Sequence, residues 1–238
     1  MSSGESAVIV GVGPGLGAAL AEAFAAEGLT VVAAARTHAS LTGVERPAAG
    51  SVGAIVPALC DATEPQQVER LFATAEREHG PVAVAVFNAG VYRRGEVVDT
   101  TPEDFELCWR IGCFAGFLVG RTAARAMLPR GRGTILFTGA TASLRGGAGF
   151  VNLASPKFGL RAVAQSMARE LGPRGLHVAH VIIDGQIHSA RYTHLADERG
   201  PDSLLEPAAI AAQYVALHNQ HRSAWTQELD LRPWVERF

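Results

Sequence analysis

The stretch GVGPGLG, residues 11–17, places glycine at four alternate positions. It follows the apolar run AVIV and opens directly into LGAALAEAFAAEG, where Leu16, Leu20 and Phe24 recur at the four-residue spacing of a helical stripe. A glycine turn between a buried strand and a helix lets the backbone approach an anion closely, and the helix start offers unpaired N–H groups to phosphate charge. Gly11, Gly13, Gly15, Leu16 and Gly17 are therefore expected to hold the pyrophosphate of a dinucleotide. The next apolar run, LTVVAAAR, ends in Ala35 and Arg36 with no carboxylate nearby. An acidic residue there would hold a ribose 2′-OH, whereas the planar fork of an arginine suits a 2′-phosphate. Arg36 thus points to NADP(H) rather than NAD(H).

A second set of residues has types suited to proton transfer and substrate binding. Lys157 stands in FVNLASPKFGL, residues 150–160, and the hydroxyls of Thr141 and Ser143 follow the run GTILFTGA. His188, Tyr192 and His194 share the irregular segment 185–205, and Tyr92 follows FNAG. His188 is the strongest of these as an acid or base, because imidazole titrates near neutrality. Arg145, in ASLRGG, and Tyr192 are candidate substrate contacts, with Arg145 implying an anionic group on the substrate. No metal site is expected. His177 and His180 lie three apart in an apolar run, where strand geometry turns them to opposite faces, and His218 with His221 has no third ligand.

These residues need a frame. Apolar runs at 7–13, 29–36, 52–59, 81–90, 133–140, 176–184 and 223–231 alternate with amphipathic stretches at 16–28, 64–80, 102–130, 149–172 and 206–220. Strands without polar alternation are buried on both faces, and helical crossovers make their neighbours parallel. The expectation is an α/β fold: one Rossmann-like, doubly wound parallel sheet of about seven strands with helices on both faces. Pro57 is expected near the end of its strand. Residues 1–238 read as a single domain, with 185–205 as a lid or substrate loop, since it is too long for a plain connection.

The totals narrow the function. The chain of 238 residues is 48% hydrophobic and 18% charged, with net charge −2. No basic face or run suggests a nucleic-acid partner. No uninterrupted apolar run approaches the roughly 18 residues needed to span a bilayer, and the start MSSGESAVIVGVG lacks the pattern of a secretory signal. Three cysteines without CxxC spacing, Cys60, Cys108 and Cys113, suit buried thiols in a reducing, cytoplasmic compartment. The expected partner is a small-molecule substrate.

Over roughly residues 7–232 the sequence resembles the short-chain dehydrogenase/reductase family. Its T-G-x3-G-x-G motif is matched from Gly11 through Gly15 and Gly17, with Val10 for threonine. CDAT (60–63) resembles D-V-T, which implies that Asp61 bonds the adenine amino group and Ala62 lies over the ring. FNAG (87–90) resembles N-N-A-G, which implies that Asn88, Ala89 and Gly90 line the cofactor. DGQIHS (184–189) resembles P-G-x-I-x-T, with Asp184 for proline. Gly185, Ile187 and Ser189 would then lie at the nicotinamide, and the resemblance carries His188 into the same loop. Lys157 matches the family's lysine, which bonds the nicotinamide ribose and lowers the pKa of a catalytic tyrosine.

That tyrosine would stand at 153, which is leucine. The partner serine would stand at 140, which is alanine. The family's asparagine falls at Gly112, or at Ile111 one register away. The resemblance therefore implies an NADP(H)-dependent oxidoreductase with an atypical active site, acting on a small carbonyl, imine or enone-like substrate and assembling as a homodimer or homotetramer. A non-redox isomerase, cyclase or lyase on the same fold, or a catalytically silent NADP(H)-binding protein, are the alternatives.

Overall fold

The computed structural model describes residues 4–44 and 52–236. Seven strands form one parallel sheet in the order β3-β2-β1-β4-β5-β6-β7. In chain order they are β1 (Ser6–Val10), β2 (Thr30–Ala35), β3 (Ile55–Leu59), β4 (Val82–Phe87), β5 (Gly133–Thr138), β6 (Leu176–Ile183) and β7 (Glu228–Leu231). The helices are α1 (Leu16–Ala26), the short α2 (His38–Leu41), α3 (Pro65–His79), α4 (Pro102–Trp109), α5 (Ala115–Met127), α6 (Val151–Leu171), α7 (Thr193–Arg199) and α8 (Pro207–His218).

Alternation along buried strands divides the core in two. Ala7 and Ile9 of β1 face Leu20, Phe24 and Tyr214 from α1 and α8. Val8 and Val10 face the other layer, with Phe72 of α3, Leu118 of α5 and Leu160 of α6. The chain winds outward from β1 to β3, then returns to β4 on the other side of β1. Winding reverses between β1 and β4, and such a reversal opens a crevice beyond the carboxyl ends of those strands.

Several elements differ from the sequence reading. The strands stop before their flanking glycines, because those residues turn into the loops of the crevice. Pro57 sits at the centre of β3, paired with Ala33, rather than near its end. An edge strand tolerates this, since its outer N–H positions need no partner. Segment 223–231 is a 3-10 turn, Arg222–Ala224, followed by the four-residue β7. The loop 185–205 contains α7 and a bridge between Ile187 and Leu205.

The stretch expected as one helix over 102–130 is α4 and α5 joined by a π-helical turn, Arg110–Phe114. Facing that wide turn, α6 carries Pro156 in its interior, so the carbonyl of Asn152 receives no i→i−4 hydrogen bond. The two irregularities fit each other at Gly112, where a Cβ would stand 2.8 Å from Pro156 Cβ. The joined stretch Pro102–Arg130 is long and apolar enough to cross a bilayer by length and composition, but 61% of its most apolar window is buried in the fold. It packs on α3, α6 and β4 as a core helix does.

Candidate active site

Two cavities open at the carboxyl edge of the sheet. The smaller, about 240 Å³, runs past Gly11, Arg36, Asp61, Ala62 and Asn88. The larger, about 770 Å³, is bounded by Thr141, Arg145, Leu153, Lys157, Ile187 and Tyr192 among others. Asn88 lines both. Its amide Nδ2 donates to Gly11 O at 3.0 Å, which ties the loop after β4 to the glycine turn after β1.

The glycine turn fits a phosphate-bearing ligand. Gly11 has φ +94°, and a Cβ there would fall 2.2 Å from Ala89 N, so its smallness serves the packing of the two loops. Gly13 and Gly15 differ, because a Cβ on either would meet nothing within 4 Å. Their bareness leaves open space that a ligand can enter. No side chain caps α1 and no acid stands in its first turn, so its positive end faces that space unneutralised. Leu16 and Gly17 begin the helix, and Leu16 also borders the larger cavity.

Arg36 is exposed on the rim of the smaller cavity and makes no hydrogen bond or ion pair among the described residues. Asp61 Oδ1 accepts from Thr63 N at 2.9 Å and Thr63 Oγ1 at 2.7 Å, which fixes its carboxylate beside buried Ala62. Cys60 also lines this cavity, but burial pushes its thiol up to about 11, and an un-ionised thiol is a poor nucleophile. Ala89 and Gly90 complete the wall.

Lys157 projects from α6 to the wall of the larger cavity. It is 6% exposed, and its Nζ donates to Thr138 O at 2.7 Å. A Cβ on Gly90 would lie 3.9 Å from that Nζ, so the amine reaches the loop after β4. Burial holds its pKa down at about 8. One helical turn before it, Leu153 presents an apolar surface to the larger cavity, and Ala140 does the same from the loop after β5.

The other candidate residues separate into two groups. Thr141, Arg145, Gly185, Ile187 and Tyr192 border the larger cavity. Thr141 Oγ1 donates to Asp184 Oδ1 at 2.5 Å. Arg145 is exposed, its backbone N–H donates to Thr141 O, and its guanidinium has no partner among the described residues. Ser143, His188 and Ser189 do not border it. Ser143 is fully buried, and its Oγ accepts from Ala140 N at 3.2 Å and lies 3.4 Å from His180 Nε2. His188 turns outward, with Nδ1 2.7 Å from Glu206 Oε1, and its backbone N–H donates to Leu205 O.

Sequence reasoning gave two groups here no role in the site: Asp184, named only as standing for a proline, and His180, weighed only as a metal ligand. Asp184 is 5% exposed directly after the eight buried residues of β6; a carboxylate at the end of so apolar a strand was the available signal. Behind Ser143, His180 is fully buried, with Nδ1 3.4 Å from Glu228 Oε2, and Glu228 holds Arg161 through two hydrogen bonds of 2.6 and 2.7 Å. Burial carries the His180 pKa down to about 4. This network braces α6 against β6 and β7 behind the pocket. Among the described residues, no group of three or more His, Cys, Asp or Glu side chains forms a candidate metal site.

A model of the short chain dehydrogenase family matches residues 5–197. The chain belongs to that family. A crystal structure of a short-chain dehydrogenase from Rhodopseudomonas palustris is 42% identical, with a TM-score of 0.82 over 97% of this chain and 99% of that one. A metagenomic short-chain oxidoreductase, solved in complex with NADP, is 28% identical, with a TM-score of 0.83 over 98% of this chain and 99% of that one. The 3-oxoacyl-[acyl-carrier-protein] reductase MabA of Mycobacterium avium is 31% identical over 201 residues, covering 84% of this chain and 74% of its own. The short-chain dehydrogenases are oxidoreductases that use nicotinamide cofactors.

Proposed function

We propose that this short-chain dehydrogenase is an NADP(H)-dependent oxidoreductase acting on a small molecule, without a tyrosine at the position one turn before its lysine. The observation that carries this reading is the convergence at Lys157. The crevice beside the glycine turn and the cavity of about 770 Å³ share Asn88, and the buried Lys157 amine in the wall of the larger one sits against Gly90, which lines the smaller. Gly13, Gly15 and the start of α1 would hold the pyrophosphate, Arg36 a 2′-phosphate, Asp61 and Ala62 the adenine, and Lys157 the nicotinamide ribose. Asn88, Ala89 and Gly90 would line the path between, and Gly185 and Ile187 would meet the nicotinamide end. A bound nicotinamide supplies hydride transfer. The chain's own residues orient the substrate, exclude water and manage a proton.

The polar rim of the larger cavity supports an active site over a silent one. Thr141, Arg145, Tyr192 and Lys157 share the wall with apolar Leu153, Phe150 and Ile187. Such a wall suits an apolar substrate body, with Arg145 at the mouth for an anionic group. NADP as the cofactor draws further support from the metagenomic relative solved with it. Self-association as a homodimer or homotetramer is supported by Phe105, Trp109, Phe117 and Phe158, large apolar side chains left exposed on α4, α5 and α6. A cytoplasmic location fits the three free, buried cysteines.

The test is a fluorescence titration of the wild type and Arg36→Ala with NADPH and NADH. The wild type is expected to prefer NADPH. Arg36→Ala should weaken NADPH by about 10- to 100-fold, the scale of a hydrogen-bonded charge pair, while leaving NADH unchanged. Equal affinity for the two cofactors in the wild type would refute the NADP(H) assignment, and binding of neither would refute the function.

A further inference from the structure

Thr141 shows the larger cavity an unusual chemical face. A hydroxyl has one proton to donate and two lone pairs to accept with. The Thr141 proton is committed to Asp184 Oδ1 over 2.5 Å, so any bond this wall residue makes to a ligand through Oγ1 is made as an acceptor. Asp184 does not border the cavity. It is 5% exposed, its N–H donates to Leu231 O at 2.8 Å, and its Oδ2 lies 3.8 Å from Arg232 Nη2. The Asp184 backbone is therefore tied to β7, and its carboxylate lies between Arg232 and Thr141, the one of the two that lines the cavity. Ala140 and Leu153, which border the same cavity, offer no competing hydroxyl.

We infer that Thr141 and Asp184 form an acid–base pair, and that the cavity receives a substrate whose reacting oxygen still carries its proton: an alcohol undergoing oxidation to a carbonyl. The hydride acceptor in this step is an oxidised nicotinamide, so the redox half rests on the function proposed above. The alcohol O–H proton passes to Thr141 Oγ1 as the Thr141 proton passes to Asp184 Oδ1. The electron pair of the broken O–H bond becomes the second C–O bond, and the pair of the broken C–H bond leaves carbon with its hydrogen as hydride. The products are a carbonyl, a reduced nicotinamide and a protonated Asp184, which returns its proton to solvent. Thr141 touches the substrate and is the catalytic residue of the pair; Asp184 acts through it and is a positioning residue.

The experiment measures binding of matched alcohol–ketone pairs, 1-phenylethanol with acetophenone and cyclohexanol with cyclohexanone, by ligand-observed NMR on the cofactor-free and NADP⁺-saturated protein. Each alcohol is expected to bind about fivefold tighter than its ketone, the scale of one hydrogen bond. Thr141→Val should erase that preference and Thr141→Ser should keep it. Asp184→Asn can still accept from Thr141 but cannot take its proton. It should lower NADP⁺-dependent kcat for the alcohols by about 100-fold while KM stays near the wild-type value. A purely structural Asp184 would instead leave kcat intact in this isosteric variant. Equal binding of alcohol and ketone, binding of neither, a preference that survives Thr141→Val, or a wild-type kcat in Asp184→Asn would each overturn the pair. Failure of NADP(H) to bind while the alcohol preference holds would sink the proposed function and leave the pair supported.

Discussion

Lys157 Nζ donates to the carbonyl oxygen of Thr138 at 2.7 Å, which fastens α6 to the last residue of β5 across the floor of the site. The same burial makes this cation a stability cost. Its folded pKa, about 8, lies below the unfolded 10.5, so between those values the unfolded chain binds more protons and stability rises with pH. The cost is full below pH 8, at about 3 kcal/mol, and is offset in part by the hydrogen bond at about 1 kcal/mol. Lys157→Met is thus expected to be about 1–2 kcal/mol more stable than the wild type at pH 7, with the gap closing toward pH 10.5. Paired denaturant titrations at pH 7 and 10 read this directly; a gap that widens with pH would contradict it.

The glycine turn should separate folding from binding. Gly11→Ala places a Cβ 2.2 Å from Ala89 N at a positive φ, and a loss of about 2–5 kcal/mol is expected. Gly13→Ala meets no protein atom within 4 Å, so its stability should shift by less than about 1 kcal/mol. Its NADPH affinity should nevertheless fall, because the added methyl enters the space assigned to the pyrophosphate. Melting curves beside NADPH titrations distinguish the two variants. Unchanged NADPH binding in Gly13→Ala would remove the pyrophosphate from that position.

The His180 network should mark the acid limit of the fold. Burial depresses its pKa to about 4 against 6.5 unfolded; Glu228 opposes that shift, while Lys157 and Arg161 reinforce it. The unfolded chain binds more protons between pH 4 and 6.5, so His180 contributes a loss of stability as pH falls through that window. Arg161, chiefly through its hydrogen bonds, also lowers the Glu228 pKa, so protonation of Glu228 at still lower pH adds to the loss. His180→Asn is expected to flatten the fall between pH 6.5 and 4. An unchanged slope in melting temperature over that range would show that His180 does not govern it.

The pocket wall offers a gain-of-function test. Leu153 and Ala140 stand where the family resemblance expects a tyrosine and a serine, and both face the cavity that Lys157 borders. The double variant Leu153→Tyr, Ala140→Ser should raise NADPH-dependent ketone reduction by about 100-fold, the scale of general acid catalysis. No gain, in a double variant that melts like the wild type and still binds NADPH, would show that the wall geometry has moved beyond repair by two side chains.

The fold was legible because burial on both faces leaves a plain mark: AVIV, VVAAA and VAVAVF admit no polar residue. The glycine turn beside the crevice was legible for a related reason, since close packing of the loop at Gly11 and open space at Gly13 and Gly15 both ask for glycine at fixed places along the chain. What escaped was set by tertiary direction. His188 and Thr141 both read as polar groups near the site, yet the first turns to Glu206, while the second lines the pocket and gives its hydroxyl proton to Asp184. Ser143 follows Thr141 by two residues in the same 3-10 turn and is buried against His180 instead. Pro57 and Pro156 were misjudged or unremarked because a proline's tolerance depends on what faces it: an open sheet edge for one, a widened helical turn for the other.

Asn88 belongs to both compartments, and this makes them neighbours in the thermodynamic sense as well. Whatever occupies the crevice beside Gly11 becomes part of the enclosure met by the next arrival. Any coupling carried through Asn88 would act on the two affinities by the same factor in both directions. If both chambers fill, a constant measured for one ligand would carry meaning only alongside the concentration of its companion.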